Sequence, residues 1–173
     1  MGKRSNFERR KNDAYQTPPA GVLPLIPHLH GIRTFAEPCA GEGKLIRALE
    51  SHGLTCVFSG DIEHGFDAIN GAALEQVKCD AIITNPPWTR EILHPMIERF
   101  QSIAPTWLLF DADWCHTKQA VSFLDQCSHI VSAGRIKWIE DSPFTGKDNA
   151  SWYRFFCQHV GGPRFFPREA VAA

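Results

Sequence analysis

The stretch CDAIITNPPWTRE (residues 79–91) runs a short apolar segment, AIIT, straight into Asn-Pro-Pro-Trp. The segment is β-branched and bounded by an acid and by prolines, which reads as a buried strand rather than a piece of helix. The two prolines remove two backbone donors and fix φ, so the strand cannot continue past Asn85. The chain must leave its sheet at a rigid corner carrying an amide and an indole.

Working outward, the pattern alternates. RTFAEP (33–38), TCVFSGD (55–61), DAIITNP (80–86) and TWLLFD (106–111) read as strands. GKLIRALESHG (43–53), AALEQVK (72–78), REILHPMIERFQSI (90–103) and TKQAVSFLDQC (117–127) read as helices between them. QTPPAGVLPLIPHLHG (16–31) is punctuated by prolines and holds only short helical turns. Alternation of this kind predicts an α/β fold, a mostly parallel sheet with helices on both faces. IVSAGRIKWIE (130–140) and SWYRFFCQHV (151–160) follow each other without a helix, so the sheet should end in an antiparallel hairpin. In open sheets ligands bind beyond the carboxyl ends of the strands. The turns after residues 38, 61, 86 and 111 should therefore build one site.

Four features at those turns carry chemistry. In AEPCAGEGKL (36–45), Gly41 and Gly43 let backbone approach a ligand at the start of a helix. A phosphate loop would need Gly at 38 and Ser or Thr at 45, where the chain has Pro38 and Leu45; a dinucleotide turn would need Gly at 46, where it has Ile46. Glu37 at this turn suits an amine-bearing or cationic ligand better than a pyrophosphate. Asp61, roughly 20 residues after the glycine turn, is placed to accept from ribose hydroxyls. Asp67 either meets an adenine amino group or caps the segment that follows it. At the corner itself, Asn85 and the Pro86 carbonyl can hold two acceptors on the hydrogens of an aromatic amine. Held so, the nitrogen becomes pyramidal and frees its lone pair, while Trp88 offers a flat face to a base.

Taken together, DAYQTPP (13–19), AEPCAGEGKL, GDI (60–62), TNPPW (84–88) and GRIKW…GKDNASWYRFF (134–156) resemble a class I S-adenosylmethionine-dependent methyltransferase, close to the small phage-type DNA adenine-N6 enzymes. The resemblance spans most of residues 13–156, and TNPPW is its most specific mark. It implies a Rossmann-like fold and S-adenosyl-L-methionine as cofactor, held by Tyr15, Thr17, Glu37, Pro38, Ala40, Gly41, Gly43, Asp61, Ile62, Asp67 and Asn85. It implies Asn85, Pro86, Pro87 and Trp88 as the catalytic set. Lys147, Asn149, Phe144 and Trp152, at the joint of the last two strands, would meet the target. Here Lys147 touches a phosphate and Phe144 or Trp152 wedges or stacks; a polar hairpin with a core tryptophan is the competing reading. No metal is required. The chain after Asn85 is largely used by core elements, so target specificity is expected to be low or supplied by a partner protein. No strand is evident between Asp67 and Asp80, where the family has one.

Composition is that of a globular protein, 43% hydrophobic and 21% charged, with no apolar run of membrane-spanning length. The net charge of −1 rules out a uniformly basic nucleic-acid trap. Lys3, Arg4, Arg9, Arg10 and Lys11 nevertheless make residues 1–12 a basic arm, read as solvated tail or phosphate contact. A single catalytic domain is expected over 13–160 and a tail over 161–173. Six cysteines without a C-x-x-C pair fit reduced thiols, and with no signal sequence the expected compartment is the cytoplasm. Cys39 follows the first strand rather than the corner strand, unlike a cytosine-C5 nucleophile, and reads as a packing residue. DNA is the first expected acceptor. RNA adenine, a protein glutamine amide, or a catalytically silent binding subunit are the alternatives. The sequence assigns no oligomeric state.

Overall fold

The computed structural model describes residues 15–139 and 145–168. After the short helix α1 (Pro19–Val22) come β1 (Thr34–Glu37), α2 (Lys44–Glu50), β2 (Thr55–Ser59), β3 (Ala81–Thr84), α3 (Arg90–Ile103), β4 (Thr106–Asp111), α4 (Val121–Leu124), β5 (Cys127–Arg135), β6 (Asn149–Phe155) and β7 (Arg164–Phe166). The seven strands form one sheet in the order β2-β1-β3-β4-β6-β5-β7. Strands β1 to β4 pair in parallel. β6 enters antiparallel between β4 and β5. The expected α/β sheet with its C-terminal antiparallel hairpin is the observed one.

Alternation along the central strands splits the core between the two faces. On β4, Leu108 and Phe110 pack with Ile82, Tyr153 and Phe155 under α3. Trp107 and Leu109 point the other way and pack with Phe35, Ile83 and Trp152 under α1 and α2. β3 is buried at all four positions, as its unbroken apolar run requires for a central parallel strand.

Several boundaries differ from expectation. AALEQVK gives only a 3₁₀ turn (Ala72–Gln76), and 117–127 gives a 3₁₀ turn followed by one turn of α-helix. β5 begins and ends earlier than the apolar run suggested. Its register shifts between Ser132 and Gly134, and Gly134 takes φ +71°, which bends the strand off the ladder. The strand ends at Arg135, and Lys137 lies beyond it. Arg164–Phe166, within the stretch read as a tail, adds a seventh strand beside β5. No strand lies between Ser59 and Ala81 among the described residues, so β2 is the sheet edge. The basic arm and Phe144 lie outside the described residues.

Candidate active site

The carboxyl ends of β1 to β4 lie side by side, and the chemistry-bearing turns meet there. Past Glu37 the chain turns through Pro38-Cys39-Ala40 and then Gly41 (φ +50°) and Gly43 (φ +75°) before α2. Its backbone donors are tied down one by one. Cys39 N–H donates to Glu37 Oε1 (3.0 Å), Ala40 N–H to the Gly60 carbonyl (2.9 Å), and Gly41 N–H to Asp61 Oδ2 (2.8 Å). Asp61 Oδ1 also accepts from Glu63 N–H (2.9 Å), so this carboxylate staples the turn after β2 to the turn after β1.

Residues 15–17 form a strap over this turn. Gln16 Oε1 accepts from Glu42 N–H (3.2 Å), and a Cβ on Gly41 would run into the Gln16 amide. The strap and the glycine turn enclose a small cleft lined by Tyr15, Gln16, Thr17, Glu37, Cys39, Ala40, Leu45 and Asn85. Glu37 is 1% exposed, and its Oε2 has no hydrogen-bond partner. Desolvation raises its pKa from the ordinary 4.5 to about 8; proximity to Thr84 and the Cys39 amide moderates the rise. The Thr17 hydroxyl is likewise buried and unpaired. Two orphaned oxygens facing one cleft are acceptors that wait for donors. Burial and the Glu37 carboxyl push the Cys39 thiol above its usual range, the opposite of an activated thiolate.

Asn85 leaves β3 into this cleft. Its Nδ2 donates to the Tyr15 carbonyl (2.9 Å), and its Oδ1 accepts from Trp88 Nε1 (3.2 Å). The same indole N–H reaches the Leu109 carbonyl on β4 (3.2 Å), which draws the ring edge inward. Trp88 is half-buried and meets Trp138 edge-to-face, centroids 5.9 Å apart; Trp138 in turn lies 6.2 Å from Tyr15. Pro86 is buried and Pro87 half-buried.

Of the expected cofactor residues, Tyr15, Thr17, Glu37, Ala40 and Asn85 line the cleft, with Pro38 buried in the turn beneath it. Gly41 and Gly43 shape the same turn, and Ile62 stands 62% exposed beside Asp61. Asp67 is spent locally: Oδ1 accepts from the Ile69 and Asn70 amides and Oδ2 from the Asn70 side chain, which holds its pKa down. The segment it caps is a turn at 68–70 and not a helix. Trp152 is a correction. It is fully buried, and its indole donates to the Gly21 carbonyl (2.8 Å), so it holds α1 to the sheet and cannot stack on a target. Lys147 is exposed in the joint before β6 and Asn149 is exposed at the strand's first position, next to Ala150, which pairs with Asp111 at the end of β4. Gln16 and Trp138 were missed. Both stand inside quoted motifs, DAYQTPP and GRIKW, but neither side chain has an intrinsic chemistry that singles it out.

Among solved structures, the chain matches that of a Pyrococcus horikoshii protein provisionally assigned as an RNA methyltransferase. The TM-score is 0.51 at 18% identity, over 92% of this chain and 95% of that one. Likeness at that identity concerns the fold, which is the Rossmann-like class I methyltransferase fold. Comparisons with protein-family models and with curated proteins give no match.

Proposed function

We propose that the protein is an S-adenosylmethionine-dependent methyltransferase acting on the N6 amine of adenine in DNA, with low sequence specificity of its own. The observation that carries this reading is the convergence of Asn85, in an Asn-Pro-Pro-Trp corner, with the buried Glu37 carboxyl and the Gly41 turn on one cleft. The residues fit the cofactor. Glu37 Oε2 and the Thr17 hydroxyl, orphaned and buried, suit its ammonium end. Asp61 retains lone pairs beyond the two backbone bonds it accepts, so ribose hydroxyls can share it. Exposed Ile62 offers an apolar seat for the adenine ring. When bound, the cofactor supplies an electrophilic methyl group.

The chain's part is to position an amine and to leave its lone pair free. Asn85 Oδ1 accepts one N6 hydrogen with its second lone pair, and the Pro86 carbonyl accepts the other. The target base is flipped out or already single-stranded, because a paired N6 is out of reach. The exposed part of the Trp88 ring stacks on it. Catalysis by orientation and hydrogen bonding needs no covalent intermediate on the protein.

RNA adenine is the second reading, favoured by the assignment of the Pyrococcus protein. Asn85→Ala tests the mechanism: methyl transfer should be abolished even at saturating S-adenosylmethionine, whose calorimetric binding is weakened by the loss of the Tyr15 bond but retained. Full activity in that variant would refute the role of Asn85. Labelled-methyl transfer to DNA, RNA and protein in parallel then selects the acceptor.

A further inference from the structure

Asn85 is bonded on both sides of its amide, and the two partners leave no freedom in which side is which. An indole N–H can only donate, so Trp88 must face Oδ1; a carbonyl can only accept, so Tyr15 must face Nδ2. The Trp88 N–H is itself fixed from behind by the Leu109 carbonyl in the middle of β4. A chain of hydrogen bonds therefore runs from the sheet core through the indole and the amide to the strap. An aspartate at 85 would still offer acceptors to an amine, but its carboxylate would face the Tyr15 carbonyl with no hydrogen to give.

We propose that Asn85 is also the anchor of the strap, holding Tyr15–Thr17 over the cleft through its amide N–H, and that Trp88 is a positioning residue whose indole N–H sets the amide for that task. Asparagine rather than aspartate at this corner then has a second purpose beside the acceptor role. The strap carries Gln16, which covers Gly41, and the orphaned Thr17 hydroxyl, so whatever occupies the cleft is held in part by the anchor. The identity of that occupant as S-adenosylmethionine rests on the reading above; the anchor does not.

The Tyr15 carbonyl belongs to the peptide bond that chymotrypsin cuts after tyrosine, so docking should shield that bond in the ligand-free protein. The measurement is the rate of chymotryptic cleavage between Tyr15 and Gln16, alongside the urea midpoint. Asn85→Asp should be cut about tenfold faster, the effect of losing one hydrogen bond and leaving two acceptors opposed. Trp88→Phe keeps the aromatic bulk, frees the amide, and should give a smaller rise of roughly two- to fivefold. The rise should be confined to Tyr15. Wild-type rates in both variants, or acceleration at every aromatic site alike, would overturn the anchor. S-adenosylmethionine should slow the cut in the wild type. Failure to slow it, with the Asn85→Asp effect intact, would refute the cofactor reading and leave the anchor standing.

Discussion

At residue 37 a carboxyl is folded into a place where it cannot easily be charged. Its pKa of about 8, against an ordinary 4.5, means the folded protein holds this proton through a window where the unfolded chain has released it. The unfolded state then binds fewer protons, so Glu37's contribution to stability falls as pH rises from about 4.5 to about 8 and is level above that. The slope it adds is at most about 1.4 kcal/mol per pH unit. Glu37→Gln should match the wild type in urea midpoint at pH 5 and exceed it at pH 8. Ligand binding runs the opposite way. An ammonium group needs the carboxylate, so cofactor affinity should rise with pH toward 8, by at most about tenfold per unit. Calorimetry at pH 6 and 8 should show that rise in the wild type and a weak, flat response in Glu37→Gln. Glu37 and Asn85 were legible in the sequence because each is a polar group placed where an apolar run ends. The bonds of Asn85 to Tyr15 and Trp88 were not, since Tyr15 lies seventy positions away and nothing local fixes the orientation of an amide.

Among the elements, the first three parallel strands were read to within two residues at each end, and α3 and β4 to the residue. Proline, glycine and the switch from period two to period 3.6 mark their ends chemically. The hairpin was displaced because its register is set by the bend at Gly134 and by pairing to β4, neither of which shows in an apolar run. Trp152 was misassigned for the same reason. Placing β6 between β4 and β5 buries Ala150 to Tyr153 without a break, and the Trp152 ring lies against α1. Its hydrogen bond to Gly21 joins a four-residue helix, too short to stand alone, to the sheet beneath the strap. Trp152→Phe should therefore destabilise the protein by about 2 kcal/mol, from one lost buried hydrogen bond and a small cavity. Urea unfolding measures this. Nucleic-acid affinity should be unchanged under conditions where the variant is folded, whereas a stacking residue would lose it.

The sheet as a whole ends at β2, and β2 is correspondingly half-open, with no fully buried residue. The absence of a strand between β2 and β3 was visible in the sequence, since residues 61–80 hold no alternating apolar run. The site end of the molecule is instead asymmetric in charge. Asp111, Asp113 and Asp148 crowd the end of β4, and burial, with the neighbouring carboxylates adding to it, raises the pKa of Asp111. Exposed Arg135, Lys137 and Lys147 lie around the β5–β6 joint. With a net charge of −1 the whole molecule draws no polyanion in, so local clusters of cations decide the path. A nucleic-acid backbone should therefore run along the joint and away from the β4 turn, touching about three cations. For a single-stranded acceptor, that number corresponds to a slope of roughly −2 in log affinity against log salt. Replacing all three cations with alanine should make the slope shallower by about that amount, and replacing Asp113 with asparagine should raise affinity at low salt. Fluorescence anisotropy of a labelled oligonucleotide across a salt titration reads both. A slope unchanged by the triple replacement would move the backbone path to another face of the molecule.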